Sequence, residues 1–214
     1  MTLQAKDKSI VSELWFGIDW GAHSSKWVCS FKNGETLTGK IHSSTLVRVG
    51  DNLLFPEGDN VPDGEEKIDG LKGIIIRDPM GQSFWDADRA DSSSTLGEAV
   101  SFSFCCLLCD ISRELLEKQG LSLTSDTPIE IGFSLPNWLR DLDRKSKAAL
   151  VHFQQAANIS CWVYKQTYGR DLPTPGKAFP IKDWKLIVKD ALKNCTLDDT
   201  PVLVEKLIKP WGRS

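Results

Sequence analysis

The chain has 214 residues, 41% of them hydrophobic and 26% charged, which is ordinary for a globular protein. Its 26 basic and 29 acidic residues leave a net charge of −3, so a protein-wide basic face for nucleic acid is not expected. No apolar run reaches membrane-spanning length, and the first nine residues lack the apolar core of a secretion signal. With six unevenly spread cysteines, the composition predicts a reduced, cytoplasmic protein without a membrane partner.

A β-hairpin is the first predicted structure, after a loose tail over residues 1–12. Apolar residues alternate with smaller or polar ones from about Glu13, the run Asp19-Trp20-Gly21 interrupts this alternation, and a second alternating stretch follows. This pattern is typical of a buried strand, a tight turn and a returning strand. The alternating apolar positions are Phe16, Ile18, Trp27, Cys29 and Phe31.

Asp19 and Gly21 make the hairpin turn a candidate binding site. An aspartate at the end of a buried strand is costly unless its charge is satisfied, and a bound cation or its water shell can do so. Glycine suits a backbone that turns with positive φ or approaches a ligand closely. Because backbone N–H groups in such a turn can form a concave anion site, we hypothesise one acid for a metal and one turn for a phosphate.

The following strands continue the hairpin as a meander. Asn33-Gly34 predicts a tight turn, and Thr36 to His42 is predicted to form a third strand. Leu46 to Phe55 is predicted to form two short strands around Gly50. The acidic turns and the short apolar run that follow favour a small inserted subdomain over about 46–94.

A core helix is predicted from about Leu96 to Lys118. Thr95 and Glu98 have the spacing of a capping box, and Gly120 is placed to end the helix. Apolar residues lie on most sides of this segment, which is typical of a buried helix.

Three cysteines in this helix invite a metal interpretation. Only Cys105 and Cys109 share a helix face, because consecutive residues such as Cys106 point about 100° apart. Since free cysteine usually behaves as a small buried hydrophobe, we predict core cysteines instead of a metal site.

The rest of the chain is predicted to alternate between strands and helices. Its elements are a strand over Ile129 to Leu135, a helix from Asp141 or Asp143 to Ile159, a strand over Cys161 to Tyr164, a loop over Thr167 to Pro180, a helix over Ile181 to Asn194 and a short element over Val202 to Ile208.

Two segments resemble one superfamily. Residues 17–26 read GIDWGAHSSK and resemble G-I-D-x-G-T/S, the first phosphate motif of the actin, sugar-kinase and DnaK-type chaperone ATPases. Residues 128–139 read PIEIGFSLPNWL and precede a helix predicted to end at Ala157-Asn158-Ile159, similar to the chaperone strand V-P-A-Y-F and the helix ending A-G-L-N. The resemblance implies an α/β fold of the ribonuclease-H-like (actin-like ATPase) type. In that fold a mixed sheet is flanked by helices, and residues 13–195 would form the N-terminal lobe.

The resemblance also implies a site for ATP and Mg²⁺. Asp19 would be the catalytic acid and would hold the metal through water, while the turn and the strand after it would contact the phosphates. Ala22 stands where the family has threonine, and this loss of a hydroxyl bears on hydrolysis more than on binding. The phosphate-binding residues implied by the motif are Gly21, Ala22, His23, Ser24 and Lys26.

The second phosphate motif of the superfamily has no counterpart after Ile159. We therefore expect one lobe of a longer protein, which becomes an ATPase only with its second lobe and which could serve a protein client. Residues 196–214 would be a C-terminal extension or the start of the linker to that lobe.

Other interpretations of the same residues remain open. One is a non-catalytic interaction module on the same fold, in which Asp19 caps its own turn and Lys26 is solvated. Another is a ribonuclease-H-like nuclease that adds Glu98 or Glu114 and Asp141 to Asp19. A sugar-kinase lobe, suggested by Lys26, is a further alternative.

Overall fold

The computed structural model describes residues 14–21, 23–62, 66–68, 71, 95–121, 129–133, 144–167 and 171–195, with only the backbone described over 129–133 and 144–150. This part of the chain is mixed α/β and contains nine strands and three helices. Its strands are β1 Leu14–Trp20, β2 Ser24–Phe31, β3 Thr36–Thr38, β4 His42–Ser43, β5 Leu46–Val49, β6 Asn52–Leu54, β7 Glu66–Ile68, β8 Ile129–Phe133 and β9 Phe179–Pro180. Its helices are α1 Leu96–Gln119, α2 Arg144–Thr167 and α3 Ile181–Asn194.

The first sheet has the order β3-β2-β1-β8, and β4 also pairs with β2. The predicted hairpin is confirmed: β1 and β2 pair antiparallel from Leu14↔Phe31 to Trp20↔Ser25. The strand predicted from Ile129 is confirmed over Ile129–Phe133 and runs parallel to β1. Strand β1 therefore lies between an antiparallel and a parallel neighbour.

The prediction of one continuous strand from Thr36 to His42 is wrong. The chain forms β3 and β4 instead, and both pair with β2. Gly39 lies between them against the indole of Trp27, so close that an added Cβ would stand 2.2 Å from the ring. The strand breaks where the backbone passes over this ring.

The second sheet has the order β7-β5-β6-β9 and is antiparallel. Its β5–β6 hairpin confirms the two short strands predicted around Gly50, which has a φ of 57°. Strand β9 comes from beyond α2, and its Phe179 pairs with Leu53. The inserted subdomain over 46–94 stays a prediction, because most of residues 63–94 lie outside the described residues.

Helix α1 confirms the predicted core helix and its caps. The Thr95 N–H donates to Glu98 Oε2 at 2.8 Å, the Glu98 N–H donates to Thr95 Oγ1 at 3.3 Å, and Gly120 ends the helix with a φ of 63°. Every residue from 97 to 111 is buried, the three cysteines included. A helix covered on all sides needs a buried partner for each polar side chain that it carries.

Helix α2 corrects two predictions. The strand predicted over Cys161 to Tyr164 is wrong, and so is the helix end at Ile159, because α2 continues to Thr167. Four alternating residues suit a strand and a buried helix equally well. In the helix, the buried Ser160 hydroxyl has two carbonyl acceptors for its one proton, Ala156 of its own helix at 2.7 Å and Ser101 of α1 at 2.9 Å.

Helix α3 has the predicted bounds and the predicted apolar stripe. Trp184, Val188 and Ala191 are buried, and the Trp184 Nε1–H donates to the Glu98 carbonyl at 2.8 Å. The Trp184 ring also meets Phe102 edge-on, with centroids 5.4 Å apart. These contacts hold α3 against α1.

None of the helices in the described ranges is long and apolar enough to span a bilayer.

Trp184→Phe is expected to lower the free energy of unfolding by about 1–3 kcal/mol, because it removes a buried hydrogen bond and leaves a small void. Urea unfolding measures this change. The control is Leu186→Ala on the same helix, where the side chain is 59% exposed and a change within about 0.5 kcal/mol is expected. Equal shifts in both variants would contradict the role assigned to Trp184.

Candidate functional site

The predicted site at the end of the first hairpin is exposed. Asp19 pairs with Lys26 across β1 and β2, and Asp19 Oδ2 lies 3.6 Å from Lys26 Nζ. The side chains are 52% and 63% exposed, respectively. Because side chains alternate along a strand, Ile18 and Trp20 enter the core while Asp19 faces outward. The cost of an uncompensated carboxylate at a strand end does not arise here, because solvent and Lys26 both satisfy the Asp19 charge, and the exposed pair is worth about 0–1 kcal/mol.

The structure gives a reason for glycine at position 21 that differs from the predicted positive φ or approach to a ligand. The Gly21 N–H donates to the Ser24 carbonyl at 3.0 Å, and an added Cβ would lie 2.2 Å from that oxygen. Gly21 is not among the glycines with positive φ. Glycine is thus required for close approach of the chain to itself, and this N–H already has an acceptor.

The other predicted phosphate-binding residues lie around this turn. His23 and Ser24 are exposed, and the His23 carbonyl accepts a hydrogen bond from the Ser44 N–H at 3.0 Å. That bond ties the turn to the segment before β5. Ala22 lies outside the described residues.

The position of the turn in the sheet is relevant to ligand binding. Strands β1 and β8 are parallel, and Ile18 pairs with Phe133 at their carboxyl ends. Asp19 therefore follows Ile18 at the edge where β8 also ends. In open α/β sheets, ligands usually bind beyond the carboxyl ends of the strands.

A buried carboxylate lies beneath the hairpin, and sequence reasoning missed it. Asp110 of α1 is 1% exposed. Its Oδ2 accepts from Trp27 Nε1 at 2.8 Å and contacts His42 Nε2 at 3.0 Å, while its Oδ1 accepts from Arg113. One acid thus joins α1 to β2 and β4. The available signal was a charged residue inside an otherwise apolar helix, which requires partners.

His42 has one tautomer in this network. The Gly58 N–H donates to His42 Nδ1 at 3.1 Å, so this nitrogen carries no proton. The proton of the neutral ring is therefore on Nε2, which donates it to Asp110. The Ser43 N–H also donates to the Gly58 carbonyl at 2.9 Å, so the loop after β6 is held to β4 at two points.

A series of ion pairs connects the buried Asp110 carboxylate to the surface through Arg113, Glu57 and Lys40. Arg113 lies 3.6 Å from Glu57 Oε1, and Lys40 Nζ lies 3.0 Å from the same oxygen.

Burial acts to raise the pKa of Asp110, but the hydrogen bonds from His42 and Trp27 outweigh it, and the pKa lies below its usual value. Asp110 is consequently ionised at neutral pH.

The acids considered for a nuclease have other roles. The Glu98 carboxylate accepts from the Thr95 N–H in the capping box, Glu114 pairs with Lys118, and Asp141 lies outside the described residues. In the ranges that are described, no three His, Cys, Asp or Glu side chains are grouped so as to hold a metal.

The predicted burial of the helix cysteines is confirmed. Burial raises the pKa of Cys105 and Cys106, and it raises that of Cys29 on β2 to about 12. These groups are therefore protonated thiols at neutral pH.

Two cavities are lined by described residues. One, of about 500 Å³, lies beside Lys40, Glu57, Gly58 and Gly176. The other, of about 420 Å³, lies between α2 and the end of α3. Asp19 and Lys26 line neither of these two cavities. Comparisons of the chain with protein-family profiles, curated proteins and solved structures found no match.

Asp110→Asn is expected to lower the free energy of unfolding by about 3 kcal/mol, because it breaks a buried, hydrogen-bonded charge network. Chemical denaturation at pH 7 measures the loss. Asp190→Asn is the control: it removes the same charge from an exposed carboxylate whose partner, Asn194, is also exposed. A loss as small as that of the control, within about 0.5 kcal/mol, would contradict the network.

Stability is also expected to depend on pH through Asp110. Its native pKa lies below the unfolded value of about 3.9, so its contribution is complete above that value and is lost as the pH falls through the native pKa. The gap in unfolding free energy between the wild type and Asp110→Asn should stay constant from about pH 7 to 5 and should narrow below about pH 4. Denaturation series at several pH values test this, and a gap that widens in acid would show the opposite sign.

Proposed function

We propose that this chain is a nucleotide-binding lobe of the actin-like and chaperone-like ATPase type, with a ribonuclease-H-like fold. The observation that carries the proposal is the exposed Asp19–Lys26 pair at the carboxyl-end edge of the parallel β1–β8 pair, next to a glycine-dependent turn. The order β3-β2-β1-β8, with a buried helix between β7 and β8, is compatible with that fold.

The side chains of Asp19 and Lys26 are suited to Mg²⁺ and a nucleoside triphosphate. Mg²⁺ retains several waters and is usually bound by one or two carboxylates together with substrate phosphates, so the single exposed Asp19 suits binding through water. The Lys26 ammonium is a point charge for phosphate oxygens. Separating Asp19 from Lys26 so that each can bind a new partner requires little free energy, because both side chains are largely exposed.

Hydrolysis requires more than this lobe supplies. Ala22 has no hydroxyl, and the Gly21 N–H is engaged by Ser24. We propose that a second lobe of a longer chain completes the site, and that the complete ATPase is cytoplasmic and has a protein client as its partner. The isolated lobe is expected to bind Mg-ATP weakly, since it offers about half of the contacts.

The alternative is an interaction module without catalysis. It is favoured by the same pair and turn: Lys26 already neutralises Asp19, and the turn satisfies its own Gly21 N–H. A sugar-kinase lobe and a nuclease are weaker alternatives: the sequence has no sugar-binding signature, and among the described residues no three His, Cys, Asp or Glu side chains are grouped so as to hold a metal.

Titration of ¹⁵N-labelled protein with ATP, with Mg²⁺ or with EDTA, tests the proposal. We expect amide shifts confined to residues 19–26 and a dissociation constant of roughly 1 mM. Asp19→Asn should remove the effect of Mg²⁺. Lys26→Gln should weaken binding at least about tenfold, since a hydrogen bond to a charged group is worth about 1.5–3 kcal/mol.

The matched control is Lys182→Gln, which removes the same charge from an exposed lysine on α3 and should leave the titration unchanged. Shifts centred outside residues 19–26, or none at millimolar ATP, would favour the interaction module. Micromolar, Mg²⁺-dependent binding would instead contradict the need for a second lobe.

A further inference from the structure

The cavity between α2 and the end of α3 has properties that the proposed nucleotide site does not use. Its volume of about 420 Å³ lies within the range of about 300–1,000 Å³ typical of small-molecule pockets. Val151, Ile159 and Leu192 supply apolar walls, and the polar groups come from two glutamines, Asn158 and Cys195. No described lining residue is charged, so the cavity suits a neutral ligand.

Asn158 gives this cavity a specific polar feature. The residue is 6% exposed, and its Oδ1 has no hydrogen-bond partner among the described residues. A buried amide oxygen without a donor costs free energy that a donor would recover. The last side-chain torsion of asparagine is soft, so a modest rotation can present this oxygen to a molecule in the cavity.

We propose that this cavity binds a small, neutral, largely apolar molecule that donates one N–H or O–H hydrogen bond to the Asn158 side chain. The apolar walls supply affinity through burial, and the amide oxygen selects for the donor. This proposal is independent of the nucleotide site, which is exposed and charged.

Indole and benzofuran form a matched pair of probes, because they share a shape and differ in one ring N–H donor. Titration of the ¹⁵N-labelled full chain should shift the amides of residues 151–159 and 192–195 with both probes. Indole should bind about fivefold more tightly, the order expected for one neutral hydrogen bond. Asn158→Leu should bring the ratio of the two affinities to about 1, without loss of thermal stability.

A blocking variant provides a second readout. Val151 is 60% exposed at the rim, so Val151→Trp should cover the opening without disturbing the core and should weaken both probes. Leu186→Trp is the control, because Leu186 is 59% exposed on α3 and does not line the cavity. The half-buried Cys195 adds a chemical readout: bound indole should slow its reaction with a thiol reagent, whereas five other cysteines are buried.

Three results would overturn the proposal. One is the absence of shifts in residues 151–159 and 192–195 up to the solubility limit of both probes. Another is equal affinity for indole and benzofuran in the wild type, which would mean that water or the chain satisfies the amide. The third is an indole preference that survives Asn158→Leu in a folded variant.

Discussion

The buried Asp110 carboxylate is the interaction on which the described structure depends most. It is held in the middle of a helix that is covered on all sides, and it accepts hydrogen bonds from β2, from β4 and from its own helix. A buried charge is tolerated only when it is paired and hydrogen-bonded, so these partners have to be positioned together. The acid therefore fixes how α1 lies on the first sheet.

The contact between Trp27 and Asp110 also determines which side chains lie on the outer face of the same sheet, because side chains alternate along a strand. Trp27 turns inward to Asp110, so its neighbour Lys26 turns outward, opposite Asp19. His42 carries the constraint in another direction, since Gly58 and the loop after β6 are bound to its second ring nitrogen. The exposed charged pair and the second sheet are thus both located by one interior network.

Local patterns predicted the elements that depend on local chemistry. The capping box of Thr95 and Glu98, the Asn33-Gly34 turn and the stripe of α3 were predictable because each depends on residues close in sequence. The strand predicted over Cys161 to Tyr164 was wrong, because packing of Ser160 against α1 decides an ambiguous pattern. The network around Asp110 was missed since its partners lie 68 and 83 residues away along the chain.

The site shows the same division between local and tertiary information. The sequence motif placed a turn after Asp19, and the turn is present, but only the structure shows that Gly21 is required by the Ser24 carbonyl. Likewise, only the structure shows that Lys26 stands opposite Asp19 across the hairpin, with the two charged groups 3.6 Å apart. The proposal for Mg-ATP therefore depends on an exposed ion pair whose two members can exchange partners.

Paramagnetic relaxation by Mn²⁺, used in place of Mg²⁺ in the presence of ATP, tests the proposed nucleotide site most directly. The account predicts that amide signals of residues 19–26 broaden, that those of α3 do not, and that Mn²⁺ without ATP has a much smaller effect. Broadening centred on another surface, or broadening that is unchanged in Asp19→Asn, would contradict it.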